Sequence, residues 1–339
     1  MRKNVIEVNE ISESTKASFR TRVISAVVAT AIVLPAVFLG DWFYFALITF
    51  VAIVATVEII KCAKPKHSIW LTIITAVLIL LLTAWPIFRQ IINSTIDSTG
   101  WKLWTSFESV YLSILILVIA FMTIFFFVVI DSKTTVGHAS FIFTIGVITA
   151  LGLQCLLFLR YYPIVDYYDW KPGIALPNVS YFNFYENFES SILLIYIAIC
   201  TFTTDIGAYI TGILFGKHKM NERISPKKTW EGFVGGIVMS FIVSFIFGLV
   251  LALNGHPILT IFDKNHWYNI LILSMIIPFF ATLGDFVFSS FKRYYGIKDF
   301  GNIMPGHGGV LDRIDSIIFA VIVASIFICI VSGREVPLL

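Results

Sequence analysis

Nine runs of apolar residues divide the chain, at about 23–40, 42–60, 69–88, 110–130, 141–159, 191–215, 233–253, 268–290 and 316–332. A helix needs roughly 20 apolar residues to cross a hydrocarbon core about 30 Å thick, and these runs approach or exceed that length. Backbone N–H and C=O groups find no partner in lipid, so runs of this kind satisfy them internally, as helices. A β-barrel would show alternation over segments of about ten residues, and the runs do not alternate. The charged fraction agrees: 13% of residues are Asp, Glu, Lys or Arg, against roughly 25% in a soluble domain. The expected fold class is all-α, a polytopic integral membrane protein with about nine transmembrane helices.

Net charge is only +3, but its distribution carries information. With the N-terminus placed inside, the segments on the inner side hold 18 Lys and Arg and those on the outer side hold 6. That asymmetry follows the positive-inside rule. It predicts a cytoplasmic N-terminus, an external C-terminus and an odd number of crossings. The first run follows some twenty polar residues with no small-residue cleavage site, so it reads as a retained helix. The four cysteines lie in or beside apolar runs without a CxxC pair, and read as small packing residues. Three parts are expected: a polar cytoplasmic segment (1–22), an N-terminal transmembrane region (23–190) and a C-terminal catalytic region (191–339). The segment at about 160–190, rich in Tyr, Phe and Pro, is expected as an external loop at the membrane interface.

From about 200 onwards polar residues enter the apolar runs. In FTTDIGAYITGILFGKHK and the threonine just before it, Thr201, Asp205 and Tyr209 recur every four residues and share a helical face. In ATLGDFVFSSFKR, Asp285, Ser289 and Lys292 do the same. In GHGGVLDRIDS, Asp312 and Asp315 are neighbours at the start of the last run. An ionised carboxylate at the bilayer centre costs about 2.5–3.5 kcal/mol on insertion scales. Salt bridges, a water-filled cavity or a divalent cation would offset that cost. Mg²⁺ suits carboxylate oxygens and keeps waters and substrate phosphates in its shell. The competing interpretation is structural ion pairing, for example Asp312 with Lys292.

Cations follow the same geography. RISPKKTWEGFVGG holds Arg223, Lys227 and Lys228 ahead of a glycine-rich helix start, a setting that favours anions. Lys292, Arg293, Lys298 and Arg313 lie on the same side. Lysines and arginines here also serve as topology signals or lipid-headgroup contacts, which is the simpler account of Lys217 and Lys219. His307, in PGHGG, is read either as a general acid or phosphate donor or as a hydrogen bonder that orders its loop. Glu58, within the second run, is read as a helix-packing or headgroup contact. Carboxylates for a metal, cations for phosphates and glycines for close approach point to phosphoryl or nucleotidyl transfer. No GxxxxGK[ST] loop is present.

The stretch S-x-F-K-R-x4-K-D-x-G-x3-P-G-H-G-G-x2-D-R-x-D, from Ser289 to Asp315, resembles the signature of phosphatidate cytidylyltransferases. D-x-x-A-Y-x-x-G (Asp205 to Gly212) and S-P-K-K-T-W-E-G-F-x-G-G (Ser225 to Gly236) resemble the same family, in the expected order. The resemblance covers about 200–330. Ile213, where a basic residue is common, and the long 160–190 segment depart from it. It implies transfer of CMP from CTP to phosphatidate, giving CDP-diacylglycerol and pyrophosphate for phospholipid biosynthesis, at the cytoplasmic face of the cell (inner) membrane. It further implies Mg²⁺, with a second, monovalent cation such as K⁺ associated with the family. Asp285 and Asp312 would be the principal cation ligands, supported by Asp315 and Asp205. Lys292, Arg293, Arg313 and His307 would act in catalysis. Ser225, Lys227, Lys228, Ser289, Lys298, Gly308 and Gly309 would contact substrate. The partners implied are CTP, phosphatidate and membrane lipids, with a homodimer and no nucleic acid. Two alternatives stay open: another CTP-dependent lipid phosphotransferase, such as a polyprenol kinase, and a cation-coupled transporter.

Overall fold

The structure is a computed structural model that describes residues 13–63, 69–99, 108–170 and 184–333. Nine α-helices run through these residues: α1 (Glu13–Leu39), α2 (Asp41–Cys62), α3 (Ile69–Thr99), α4 (Glu108–Ile130), α5 (Val136–Trp170), α6 (Phe184–Phe215), α7 (Trp230–Leu253), α8 (Trp267–Tyr294) and α9 (Leu311–Ser332). Each apolar run of the sequence coincides with one helix. Among the described residues, seven helices are long and apolar enough to cross a membrane. The described apolar parts of α3 and α4 are shorter, Ile69–Ala84 and Ile114–Ile130. The fold is that of an all-α polytopic integral membrane protein.

Several helices outrun their apolar runs. α3 continues to Thr99, α5 to Trp170, and α6 begins at Phe184. Hydropathy marks only the part that suits lipid, whereas the i→i−4 hydrogen bonds of a helix continue through polar residues as well. The expected interfacial loop is therefore narrower than 160–190, and its centre, 171–183, lies outside the described residues. Residues 1–12, which hold most of the expected polar N-terminal segment, also lie outside them.

A second departure from an all-helical reading is small. Between α6 and α7 the strands β1 (Lys219–Asn221) and β2 (Ser225–Thr229) pair antiparallel, Lys219 opposite Thr229 and Asn221 opposite Ser225. This link joins two helix ends on the same side of the bundle, where backbone groups still need partners. A hairpin supplies them. Thr229 then ends the strand and caps α7, its Oγ1 accepting the Gly232 N–H at 3.1 Å, a usual role for Thr at a helix start.

One continuous apolar core runs from Tyr44 on α2 to Ile328 on α9. All four cysteines are buried within the bundle, in keeping with packing roles. α6 and α7 lie almost backbone to backbone: a Cβ on Gly236 would stand 2.7 Å from the Thr204 carbonyl oxygen. Small residues allow such approach where lipid offers little hydrophobic drive between helices. At the far end of the bundle Arg160 is fully buried. Its Nε donates to the Val37 carbonyl at 2.8 Å and its guanidinium bonds the Ser190 hydroxyl. Val37 lies in the last turn of α1, where carbonyls lack intrahelical partners and a cation is favoured.

Candidate active site

The alternating directions of the helices bring the starts of α7 and α9 together with the ends of α2, α6 and α8. The charged side chains singled out in the sequence gather at this end. Gly284 allows a close approach of α8 and α9: a Cβ there would lie 2.8 Å from the Asp315 carbonyl oxygen. The approach puts Asp285, the next residue on α8, within electrostatic reach of Asp315.

Two ion-pair groups follow. In one, Lys228 at the end of β2 pairs with Oδ2 of Asp285, while Ser289 Oγ donates to Oδ1 of Asp285 at 3.1 Å. The Lys228 ammonium also lies 4.4 Å from the centre of the Phe286 ring, a cation–π contact. In the other, Lys292 Nζ stands 2.8 Å from Asp312 Oδ1 and 3.6 Å from Asp315 Oδ2. Here the side chains are far drier: Lys292 is 8% exposed and Asp312 3%, against 29% for both Lys228 and Asp285. Asp205 of α6 is exposed toward the first group, within electrostatic reach of Asp285, Lys228 and Arg313. Four carboxylates thus meet three cationic heads drawn from α6, β2, α8 and α9.

Arg313 stands at the margin of this set, within electrostatic reach of Asp205, and the remaining sequence candidates sit around it. Arg313 turns its guanidinium onto the His307 carbonyl, with Nε at 2.9 Å and Nη2 at 2.5 Å. His307 Nδ1 lies 2.6 Å from Ser25 Oγ on α1, a bond of the loop-ordering kind, which was one of the two readings of this residue. Arg293 is exposed and holds the hairpin, Nε donating to the Ile224 carbonyl at 3.2 Å and Nη1 to the Ile297 carbonyl at 2.9 Å. Lys227 is exposed and precedes Lys228 on the same strand, so the two point to opposite faces. Ser225 lies partly buried in the hairpin, and Lys298 is exposed in the α8–α9 connection. Gly308 adopts φ +86°, a conformation glycine takes without strain. It allows the connection to turn beside Asp312, whose Oδ2 accepts the N–H groups of Phe300 at 2.8 Å and Gly309 at 2.9 Å.

These observations decide what each carboxylate has to offer. An ionised carboxylate has about four lone-pair sites. Asp312 has engaged three of them, with Lys292 and two backbone amides, in a nearly dry position. The residue expected as a principal cation ligand is thus already the anchor of the α8–α9 connection. Asp285 and Asp205 retain acceptor capacity and are open to solvent. No ready-made group of three or more His, Cys, Asp or Glu ligands exists among the described residues, and lysine ammonium groups pair with three of the acids, Asp285, Asp312 and Asp315. The structural ion pairing weighed from sequence, Asp312 with Lys292, is present.

A model of the cytidylyltransferase family matches residues 20–331. The chain belongs to the cytidylyltransferase family. The phosphatidate cytidylyltransferase of Staphylococcus haemolyticus is 40% identical to it over 148 residues, 43% of this chain and 53% of that protein. Those of Staphylococcus saprophyticus and Staphylococcus aureus are 42% and 39% identical over the same length and shares. The match spans about half the length of these curated relatives.

Within this cytidylyltransferase-family fold, three contributors escaped the sequence reading. Glu58 reaches the start of α9 from α2. Ser25 of α1 holds His307, and Arg22 lies against Gly306, where a Cβ would be 2.9 Å from its Cγ. The only signal for them was a lone acid in an apolar run and a polar pair beside the start of the first run, Ser25 donating to the Arg22 carbonyl at 3.0 Å; neither pattern names its distant partner.

Proposed function

We propose that the chain transfers CMP from CTP to phosphatidate at the cytoplasmic face of a cell membrane, forming CDP-diacylglycerol and pyrophosphate. The observation that carries this reading is the convergence of Asp205, Asp285, Asp312 and Asp315 with Lys228, Lys292 and Arg313, at one end of a bundle whose family match spans 20–331. The inward bias of Lys and Arg along the sequence supports a cytoplasmic orientation.

In this reaction a phosphate oxygen of the lipid attacks the α-phosphorus of CTP. A new P–O bond forms, the bond to the β-phosphate oxygen breaks, and pyrophosphate leaves with that electron pair. The nucleophile is already ionised near neutral pH, so no strong general base is needed. The barrier lies in joining two polyanions, and fixed charges in a site of reduced dielectric lower it. Lys228 and Arg313 border the exposed side of this cluster and bind phosphate oxygens. Lys292, held by Asp312 and Asp315, directs a buried ammonium toward the same place. Asp285, with Asp205 and Asp315, would hold Mg²⁺, which supplies Lewis-acid neutralisation of phosphate charge when bound. The apolar faces of the helices hold the acyl chains in lipid while the nucleotide arrives from water.

Purified protein given labelled CTP and phosphatidate with Mg²⁺ is expected to form labelled CDP-lipid and pyrophosphate, and chelation of Mg²⁺ is expected to stop it. Phosphorylated lipid without CMP incorporation would transfer the site to the lipid kinases. Uptake of cations into vesicles without any CTP consumption would identify a transporter.

A further inference from the structure

Glu58 is 2% exposed and takes no part in the chemistry above. Its two carboxylate oxygens accept the N–H groups of Val310 and Leu311, each at 2.9 Å. Those amides belong to the start of α9, where backbone donors lack intrahelical partners. Val310, at the N-cap, provides no side-chain acceptor. A carboxylate suits this place both as acceptor and through the helix dipole. The cap that α9 lacks in its own sequence therefore comes from α2.

The contact leaves no slack. Gly309 is buried, and a Cβ on it would lie 2.5 Å from Glu58 Oε1 and 2.7 Å from its Cδ. Three successive amides are thus divided between two acids: Gly309 N–H goes to Asp312, and Val310 and Leu311 N–H to Glu58. Asp312 follows Leu311 directly, and Asp315 lies about one turn further along the same helix. Whatever fixes this first turn fixes both carboxylates that share Lys292.

We propose that Glu58 is a positioning residue of the site, holding the first turn of α9 so that Asp312 and Asp315 meet Lys292 in one arrangement. Only the kinetic part rests on the proposed reaction. Glu58→Gln keeps length and bulk but turns an N–H donor toward a backbone N–H. Deuterium uptake at the amides of 309–312 is expected to rise, measured without CTP or Mg²⁺. The value of kcat is expected to fall about tenfold to a hundredfold, with KM for CTP and phosphatidate within about threefold of wild type. Gly309→Ala displaces the same carboxylate from the other side and is expected to give the same pattern, so either folded variant decides the matter. A folded variant with wild-type uptake overturns the inference, as does a lowered melting temperature with unchanged kcat per folded molecule. Raised uptake in a protein whose wild type makes no CDP-lipid supports the positioning and removes the reaction instead.

Discussion

Asp285→Asn is expected to leave the protein folded and to lower turnover at least about a hundredfold, the loss seen when one preorganised electrostatic group is removed from an active site. The fold survives because the Asp285–Lys228 pair is part-solvated, each side chain 29% exposed, and such pairs contribute roughly 0–1 kcal/mol. Asparagine keeps the shape of the side chain and an oxygen for the Ser289 hydroxyl. Only the charge goes. Its loss strips the site of the carboxylate that lies within reach of both Asp205 and Asp315. Asp312→Asn is the contrast. It removes the buried partner of Lys292 and weakens the bonds from Phe300 and Gly309, so turnover and melting temperature are expected to fall together. CDP-lipid formation and thermal denaturation in the same detergent separate the two patterns. Near-normal turnover in Asp285→Asn would remove that residue from the site, and a collapsed fold would make it a structural ion pair.

The difference between those two aspartates marks the limit of what the sequence discloses. Helix number was legible because lipid forces long apolar runs into one kind of backbone, and successive runs then place their ends on alternate sides. The end of the bundle that carries the site was legible for the same reason. Spacing put Asp285, Ser289 and Lys292 on one face of α8, and the Ser289–Asp285 bond agrees. What the spacing did not disclose is which partner each acid takes across helices. Lys228 reaches Asp285 because a hairpin, not a loop, links α6 to α7 and aims one of two adjacent lysines inward. Arg293 resembles its neighbour Lys292 in the sequence, yet one residue of helical rotation sends it outward to hold Ile224. Glu58 bonds residues some 250 positions away, and no local pattern reports a contact of that kind. The glycines of PGHGG were read as close approach to a ligand, and part of that approach is internal: Gly309 makes room for Glu58.

Lys292→Met is expected to have the largest effect on stability. The ammonium lies between two acids in a nearly dry position, 2.8 Å from Asp312 and 3.6 Å from Asp315, with the Phe300 ring centre 5.3 Å away. Asp285 is also within its electrostatic reach. Methionine preserves most of the stem and its packing, so the change isolates the charge. Removing one partner of a buried pair costs about 3–5 kcal/mol, because the acid left behind has neither water nor counter-ion. Asp312 keeps its two backbone amides; Asp315 keeps only the N–H of Ser316, at 2.8 Å. Their mutual repulsion then acts on the first turn of α9, so turnover is expected to fall along with stability. A double variant with Asp312→Asn tests the cause. If repulsion between unpaired acids destabilises Lys292→Met, the second substitution recovers part of the loss, and the cycle gives a coupling of about 1 kcal/mol or more. Additive losses would mean that Lys292 acts through its stem alone. The charge would then contribute nothing to the arrangement that the proposed reaction needs.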